Sequence, residues 1–595
     1  MAVAFAVFAG GKQESGSKAP AAEPTKEAPK TTAPAKEIKN PDTFVYAAYG
    51  DIDSLDPAKA YDNASGGAIT NIYDTLIDFA SGSTEKFVPG LAAEVPTAAN
   101  GLISNGGKTY KFPIRKNVKF HSGNALTPEG VAYSFKRALV TDPDGGPMWM
   151  LFEPLFGTYG SRDDDGNVIL TLAQLDQAIQ VQGDSVVFNL KAPFSPFLSI
   201  ITYNAMSVID KDFAIAHGAW NGTQADIARI NMPEEGKETL YDTASGTGPY
   251  KLVRWEKGVE SVYERNEDFW GPKPALKRAI TKIVEEWSTR KLMLLQGDAD
   301  FVVVDPMYYE EMDKEAGLKV YKKLTELSNR GINFNMKITS TDNQAIGSGK
   351  LDGKGIPMDF FADKDVRLGF AYAFDFDTYN KEIIKGNGIP APTPICSGLP
   401  FFNPALKLYP FDLKKAEEYF KKAWGGKVWA NGFEFEMEFN TGNEVREQTL
   451  KMLAETVMSI NPKFKVNVRG VEWATYVDMQ RQRTMPVFYI GWGADYPDPH
   501  NFVQPYMHST GLFSGRTGYN NPEVDKLVET GVLETDQTKR KAIYMRLQDI
   551  WMEDTIGIML HQPVIQQYAK DWLKGYVFHP MENSPPEFKQ FSKGY

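Results

Sequence analysis

Two carboxyl groups spaced three residues apart, Asp495 and Asp498, have the residue type that acid–base chemistry requires. A pair of carboxylates can hydrolyse a glycosidic bond when one acts as acid and the other as base or nucleophile. The segment Asp495-Tyr-Pro-Asp-Pro-His500 also has the composition of a tight turn, because Asp and Pro both fix turn geometry. No G-x-S-x-G motif accompanies it. A secreted hydrolase is therefore the weakest of the functional hypotheses.

The sequence contains few of the cysteine and histidine residues on which metal binding and thiol chemistry depend. Cys396 is the only cysteine, and the six histidines include no H-E-x-x-H arrangement. One thiol cannot form an internal disulfide, and it cannot build a cysteine-based zinc or iron–sulfur site. We therefore expect a protein with no metal and no cofactor.

The charge balance excludes one large class of partner. The 595 residues include 65 Lys and Arg against 76 Asp and Glu, which gives a net charge of −11. A nucleic-acid-binding protein needs a basic face, and this composition supplies none. The apolar share of 42% and charged share of 24% are typical of a soluble globular protein. The length predicts several domain-sized units.

A strand that ends in glycines could bind an extended chain. The segment Pro486-Val-Phe-Tyr-Ile-Gly491 predicts a buried strand, followed by Trp492 and Gly493. Glycine lets another backbone approach closely, and tryptophan supplies a large apolar wall. An unpaired strand edge can bind the backbone N–H and C=O groups of an extended chain without contacting its side chains. The segment therefore predicts such an edge.

The first 41 residues differ from the rest. Residues 1–9 are apolar and uncharged and end in Val7-Phe-Ala9, which favours the remnant of a signal peptide. Residues 10–41 are rich in Pro, Ala and Lys and predict a disordered tether. No lipid-anchoring cysteine is visible after Ala9, and no segment is long and apolar enough to span a membrane.

Strands and helices alternate through the remainder with no fixed-period repeat, which predicts an α/β fold. Thr127 and Pro128 have the types expected at the N-cap and first turn of a helix. Strand 433–439 alternates strictly, and we expect its acidic face (Glu434, Glu436, Glu438) to be solvated. Further strands are expected at 43–49, 110–115, 118–120, 185–190, 464–469 and 486–491, and residues 246–255 are expected to form a turn that leads into a strand. Helices are expected at 127–139, 289–296, 365–374, 412–423, 444–460, 522–534 and 539–552.

One long stretch resembles a known family. Residues Tyr110-Lys-Phe-Pro-Ile-Arg-Lys-Asn-Val-Lys-Phe-His-Ser-Gly-Asn-Ala-Leu-Thr-Pro-Glu-Gly-Val-Ala-Tyr-Ser-Phe-Lys-Arg-Ala138 are similar to the signature of the family 5 extracellular solute-binding proteins. These are the oligopeptide- and dipeptide-binding components of ABC importers. Ser54–Pro57, Thr247–Trp255, Asp365–Asp375 and Gly491–Phe502 resemble further family segments in the same order. The resemblance covers about residues 42–595.

The resemblance implies a clamshell fold like the type II periplasmic binding proteins. Two main lobes close on the ligand, and an extra lobe is inserted. Lobe I would comprise 42–79, 241–320 and 559–595, lobe II 80–240, and lobe III 321–558. A chain that crosses between lobes more than once is typical of a hinge.

The resemblance also implies the binding residues. It assigns Asp495 to the ligand ammonium, and we expect Gly491, Trp492 and Gly493 to line the pocket. Tyr49 ends the first strand, where relatives bring a backbone edge to the ligand. Tyr489 is a further residue expected to contact the ligand. Some oligopeptide-binding relatives carry an arginine at this position, two residues before the glycine. Either another cation binds a ligand carboxylate, or peptide ends are not held, or the ligand is not a peptide.

The function implied is that of a periplasmic receptor, not an enzyme. It would be a monomer that captures peptides by lobe closure and delivers them to an inner-membrane ABC permease. The alternative keeps the fold and the transport role but takes an oligosaccharide or other small solute, which would stack on rings such as Trp492 and Trp473. A sensing role, in which the loaded receptor docks on a chemoreceptor, is a further possibility.

Overall fold

The computed structural model describes residues 37–163, 165–234, 236–339, 343–581 and 586–595. The predicted signal-peptide remnant and residues 10–36 of the predicted tether lie outside these ranges. By its contacts, the segment 39–595 forms one unit, and all that follows concerns that unit.

Most strands of the described ranges join one large mixed sheet, and the remainder form small sheets. The strands are β1 (Thr43–Ala48), β2 (Ile77–Phe79), β3 (Phe87–Pro89), β4 (Ile103–Ser104), β5 (Thr109–Pro113), β6 (Ile179–Gln182), β7 (Ser185–Asn189), β8 (Tyr250–Glu256), β9 (Glu260–Arg265), β10 (Arg278–Ile283), β11 (Phe301–Val302), β12 (Leu318–Thr325), β13 (Ser328–Phe334), β14 (Gly388–Pro390), β15 (Phe433–Asn440), β16 (Phe464–Val471), β17 (Val487–Gly493), β18 (Gly557–Lys570), β19 (Leu573–Lys574) and β20 (Ser592–Lys593).

The large sheet has the order β16-β15-β17-β13-β18-β11-β1-β10-β9-β8, and β12 and β14 also pair with β18. Strand β1 runs parallel to β10 and β11, and β15 runs parallel to β16 and β17. The remaining pairs are antiparallel. A separate antiparallel sheet has the order β4-β5-β7-β6. The predicted mixture of strands and helices is therefore confirmed.

Strand β18 belongs to both halves of the large sheet. Its first half pairs with β13 and β14, with Arg330 opposite His561. Its second half pairs with β12 and β11, with Thr325 opposite Val564. Because β13 begins three residues after β12 ends, the chain also passes from one half of the sheet to the other here. The lobe boundaries, and a hinge between lobes, stay predictions.

Helices cover the sheets and carry several of the cavity residues. They are α1 (Asn63–Ile72), α2 (Pro128–Thr141), α3 (Trp149–Phe156), α4 (Leu172–Ala178), α5 (Phe197–Ile201), α6 (Lys211–Ala216), α7 (Ile227–Ile230), α8 (Trp287–Gln296), α9 (Tyr309–Met312), α10 (Lys364–Ala373), α11 (Phe376–Thr378), α12 (Leu413–Lys422), α13 (Lys427–Asn431), α14 (Glu444–Ile460), α15 (Trp473–Arg481), α16 (His500–Met507), α17 (Leu512–Thr517), α18 (Pro522–Leu533) and α19 (Gln537–Asp554).

The N-terminus of α2 has the predicted cap. The side chain of Thr127 accepts a hydrogen bond from the backbone N–H of Gly130, and Pro128 occupies the first turn. This arrangement satisfies one of the free N–H groups that every helix start exposes. The apolar face of α2 packs on the four-stranded sheet, where the rings of Phe135 and Phe188 meet edge to face at 4.9 Å.

Strand β17 is buried on both faces. Val487 and Tyr489 pack into one apolar core with β13 and β15 and the helices α10, α12 and α14. Phe488, Ile490 and Trp492 point the other way, into a core that includes residues of α16, α18 and α19. Because side chains alternate across a strand, this near-continuous apolar run fits a strand enclosed by two cores.

The acidic face of β15 is only partly solvated, so the expectation for Glu438 is wrong. Glu434 and Glu436 are half-buried, but Glu438 is fully buried. Its carboxylate lies 3.3 Å from Arg469, and burial raises the pKa of Glu438 to about 8. Tyr476 of α15 lies close enough that the charge of Glu438 contributes to raising the pKa of the Tyr476 hydroxyl. Helix α15 therefore covers the end of a face that strand periodicity alone assigns to solvent.

Candidate ligand-binding cavity

A cavity of about 380 Å³ lies where β1, α1, β13, α14, α15, β17 and β18 approach one another. This volume is in the range of small-molecule sites. All six residues expected to contact ligand line it: Tyr49, Tyr489, Gly491, Trp492, Gly493 and Asp495. The structure thus brings these residues together, and their contact with a ligand stays a prediction.

Strand β17 is an inner strand between β15 and β13, so the predicted edge is wrong except for one open stretch. It pairs with β13 along its whole length, but with β15 only through Glu438 and Phe488. The carbonyl of Tyr489 accepts a hydrogen bond from the Tyr476 hydroxyl at 2.7 Å, so its backbone points away from β13. Backbone groups two residues apart point to the same side of a strand. Gly491 therefore turns its backbone to a side where the described residues supply no strand partner.

The absence of a side chain at Gly491 makes room for Arg330. A Cβ added at Gly491 would lie 2.7 Å from Cδ of Arg330 and 2.7 Å from the carbonyl oxygen of Asn329. The Arg330 guanidinium also lines the cavity and donates to Ser328 Oγ at 3.0 Å and to Glu326 Oε2 at 3.1 Å. Glycine is therefore required here for close packing.

Asp495 is a buried carboxylate with neutral partners only. Its side chain accepts hydrogen bonds from the Tyr61 hydroxyl and from Nδ2 of Asn501, each at 2.8 Å, and from the Tyr203 side chain. Within the described part of the chain, no Lys or Arg forms an ion pair with it. Burial raises the pKa of Asp495 to about 7, and the three donors offset only part of this effect.

Trp492 lies in the apolar core and also lines the cavity. Its ring meets Tyr61 and Phe513 edge-on, with centroids 5.2 and 5.5 Å away. The indole Nε1–H donates to the carbonyl of Asn501 at 2.8 Å, and the residue is only 6% exposed. Because its ring faces are largely enclosed by protein, Trp492 offers the cavity an apolar wall but no open stacking platform.

Tyr49 lies one residue past the end of β1, against a buried cation. The Arg290 guanidinium is 5.1 Å from the centre of the Tyr49 ring, within the range of a cation–π contact. Asn443 donates a long hydrogen bond of 3.4 Å to the Tyr49 hydroxyl. Burial, followed by the charge of Asp305, raises the pKa of Tyr49 to about 12. The hydroxyl therefore stays neutral at ordinary pH.

Tyr489 belongs to a buried polar chain. Its hydroxyl lies 3.0 Å from the hydroxyl of Tyr379, which in turn lies 2.8 Å from Nδ1 of His561. Burial and the charge of Arg330 lower the pKa of His561 to about 3, so the imidazole is neutral. With its hydroxyl already bonded, the Tyr489 side chain has little left to offer a ligand.

Arg446 on α14 is a cavity cation that the sequence analysis did not find. Its guanidinium lies 5.5–5.8 Å from the rings of Trp473, Tyr476 and Tyr489 and donates to Asn440 Oδ1 at 2.8 Å. It forms no ion pair with any carboxylate of the described residues. No local motif marks it, because only the folded chain brings α14 beside β17.

The hypothesis of paired catalytic carboxylates gains no support. Asp498 does not line the cavity and forms an ion pair with Arg540 at 2.8 Å. Across the described ranges, no group of three or more His, Cys, Asp or Glu is arranged to hold a metal ion. Cys396 is buried, which raises the pKa of its thiol. None of the described helices has the length and apolar composition needed to cross a membrane.

Comparison with known proteins identifies the family. The model for "Bacterial extracellular solute-binding proteins, family 5 Middle" matches residues 86–514. The chain belongs to this family. The resemblance seen in the sequence is thereby confirmed. The family comprises binding proteins of transporters rather than enzymes.

Relatives of this family 5 protein align over almost its whole length. "Probable D,D-dipeptide-binding periplasmic protein DdpA" of Escherichia coli is 25% identical over 550 residues, covering 91% of this chain and 92% of the relative. "Heme-binding protein A" of Haemophilus influenzae is 25% identical over 558 residues, covering 92% and 91%.

A solved structure supports the clamshell architecture of this family 5 protein. The periplasmic binding protein DppA of Helicobacter pylori, solved in complex with the peptide STSA, superposes with a TM-score of 0.73. It is 24% identical, and the match covers 93% of this chain and 98% of that one. The predicted multi-lobed, type II binding-protein fold is confirmed.

Proposed function

We propose that this protein captures short peptides in the cavity and delivers them to an ABC permease, with Asp495 binding the peptide ammonium. The observation that carries the proposal is the Asp495 carboxylate, which lines the cavity, is buried, and has neutral partners only. A buried charge without a counter-charge is unfavourable, so the site favours a ligand that supplies a cation. Relatives described as dipeptide-binding or solved with a peptide support this choice of ligand.

The other end of a peptide finds cations in the same cavity. Arg446 carries no carboxylate partner, so it is available to a ligand carboxylate. Arg330 is a second candidate, but Glu326 already neutralises it. An arginine binds a carboxylate through two parallel hydrogen bonds, which suits a peptide C-terminus. Arg446 would thus serve the purpose of the arginine that the sequence lacks at position 489.

The peptide backbone has a partner in the open stretch of β17. Gly491 lacks a strand partner on the cavity side, so its backbone groups are available to pair with a second chain there. Backbone pairing binds peptides of different sequence, while pockets read the side chains. This arrangement would allow one cavity to accept a range of short peptides.

The oligosaccharide alternative receives less support. Sugar stacking needs an exposed ring face, whereas Trp492 is enclosed by Tyr61 and Phe513. A neutral sugar would also leave the Asp495 carboxylate without a counter-charge. We further propose a periplasmic location and a monomeric state, in which closure of the lobes on the ligand creates the surface that the permease recognises.

The substitution Asp495→Asn tests the proposal. Free-amine peptides should bind about 10- to 100-fold more weakly to the variant, because a charge-assisted hydrogen bond contributes about 1.5–3 kcal/mol. N-acetylated peptides should bind the wild type and the variant with similarly low affinity. Calorimetry measures the affinities for both kinds of peptide, on protein that has been unfolded and refolded to remove any retained ligand. Asp377→Asn, at an exposed position, is the matched control. Equal loss for free and acetylated peptides would mean that Asp495 is structural.

A further inference from the structure

Three polar side chains form a second group in the wall of the cavity. Asp62 is the N-cap residue of α1, and Trp473 and Gln480 lie on α15. All three line the cavity. We call this group the amide subsite.

Each member of the amide subsite has a buried polar atom without a hydrogen-bond partner among the described residues. These atoms are Oδ2 of Asp62, Nε1 of Trp473 and Nε2 of Gln480. Gln480 is 3% exposed, so its side chain is shielded from bulk water. Buried polar groups are normally paired, and unpaired ones destabilise the fold. Three unpaired atoms in one cavity wall indicate that a ligand group supplies the partners.

The geometry of α15 places Trp473 and Gln480 on the side of the helix that lines the cavity. Trp473, Val477 and Gln480 are spaced at i, i+4 and i+7, so they share the helix face that lines the cavity. Arg481 ends the helix and forms a 2.7 Å ion pair with Asp53, which precedes α1. This ion pair holds the end of α15 near the N-terminus of α1, where Asp62 lies.

Asp62 has one oxygen available. Its Oδ1 accepts the backbone N–H groups of Ala64 and Ser65 at 3.0 and 3.1 Å, which caps α1 and leaves Oδ2 unpaired. Trp473 approaches the carboxylate and lowers its pKa, although Nε1 does not reach hydrogen-bond geometry. Burial has the larger effect and raises the pKa of Asp62 to about 6. The group is therefore mostly an ionised acceptor at neutral pH.

The unpaired atoms comprise one acceptor and two N–H donors, which restricts the ligand group. A ligand cation would face two donors, and a ligand carboxylate would face the charge of Asp62. An apolar side chain would leave all three atoms unpaired. A carboxamide carries an oxygen that accepts from both donors and an NH₂ that donates to Asp62. A neutral amide is therefore the complementary group.

We propose that Asp62, Trp473 and Gln480 bind the side-chain carboxamide of an Asn or Gln residue in the peptide. The inference rests on the proposed peptide-binding function and adds a side-chain preference to it. A backbone amide of the peptide has the same chemistry, so the test must separate these two sources.

Positional sets of tripeptides make that separation. The sets Ala-X-Ala, X-Ala-Ala and Ala-Ala-X, with X as Gln, Met, Glu or Lys, are titrated into refolded protein. At one position we expect Gln to bind at least tenfold more tightly than the similarly sized Met, and more tightly than Glu or Lys. Equal affinity for all X would mean that the backbone amide, or no ligand group, fills the subsite, and would overturn the inference. Binding of no peptide at all would overturn the proposed function as well.

Variants assign the preference to the named residues. Gln480→Met should reduce the Gln-over-Met preference to less than threefold. Gln482→Met, at an exposed position on the same chain segment, should keep the full preference. Trp473→Phe removes the Nε1 donor but keeps a ring, and it provides a second test if Gln480→Met fails to fold. An undiminished preference in a folded Gln480→Met or Trp473→Phe protein would refute the assignment.

Discussion

Acidification should weaken the binding of free-amine peptides, because Asp495 must lose a proton before it can pair with an ammonium. In the empty cavity, burial raises the pKa of this carboxyl to about 7. A bound ammonium stabilises the carboxylate and lowers the pKa in the complex. Between these two values, binding is therefore coupled to the release of one proton.

The magnitude follows from the pKa of the empty site. With a pKa of about 7 for Asp495, the apparent Kd should be about tenfold higher at pH 6, and about a hundredfold higher at pH 5, than for the fully ionised site. The hundredfold change corresponds to about 2.7 kcal/mol of binding free energy. Above pH 8 the affinity should fall again, because the peptide α-amino group has a pKa of about 7.7–8.0. The optimum should therefore lie between about pH 7 and 8.

Calorimetric titration in buffers of different ionisation enthalpy measures the released protons directly. The Asp495 carboxyl should release about 0.9 proton per peptide at pH 6 and about 0.1 at pH 8. At pH 8 the peptide amino group should also take up about half a proton as it binds in the ammonium form, so the net exchange there should be uptake. Asp62 and Asp305 also line the cavity and have pKa values raised to about 6 and about 7. The same titrations on Asp495→Asn separate their contribution, because this variant should lack the release assigned to Asp495.

Two results would contradict this reasoning. Binding at pH 6 without proton release would mean that the ammonium does not approach Asp495. The same release from Asp495→Asn would assign the titration to another carboxyl group. N-acetylated peptides provide the ligand-side control, since they carry no ammonium and should show no acidic limb.

Three further predictions concern stability and the remaining site residues. In ligand-free protein, Asp495→Asn should raise the free energy of unfolding at pH 8 by on the order of 4 kcal/mol, because the folded-state pKa of about 7 lies above the unfolded value of 3.8. Wild-type stability is lost as the pH rises from about 4 to 7, so urea titrations should show the gain growing over this range and almost none near pH 4. Arg446→Gln should weaken the binding of free-acid peptides about 10- to 100-fold relative to that of C-terminally amidated peptides. Equal loss of affinity for both would exclude a contact between Arg446 and the peptide carboxylate. Gly491→Ala should lower the free energy of unfolding, measured in urea, by about 1–3 kcal/mol, because the alanine Cβ would clash with Arg330 and Asn329. An unchanged unfolding midpoint would show that the strand relaxes to accept the methyl group.

Local patterns predicted the elements whose burial is simple. Thr127 and Pro128 marked a helix start because capping depends on residues a few positions apart. Glu438 shows where such patterns fail. Strand periodicity assigned it to the solvated face, but α15, which begins 35 positions later at Trp473, covers the end of that face. Tertiary contacts of this kind leave no signal in the local sequence.

Some cavity residues were likewise marked by a local sequence pattern, and others come together only in the folded chain. Gly491, Trp492 and Asp495 lie within one short segment that could be recognised as a unit. The partners that define their chemistry are distant, since Tyr61 bonds to Asp495 across 434 positions. Arg446 comes from a helix with no distinctive motif. The sequence therefore predicted the position of the site but not the groups that set its charge.

The shared strand β18 has a consequence for how the protein is made. Residues 557–570 complete both halves of the large sheet, yet they are synthesised after every other described strand of that sheet. Strand β13 pairs with this strand across more than 220 residues, and such non-local pairing is slow. A nascent chain therefore cannot complete its main sheet until these residues have been synthesised. For a protein whose family works outside the cell, this delay favours export of the chain before it folds.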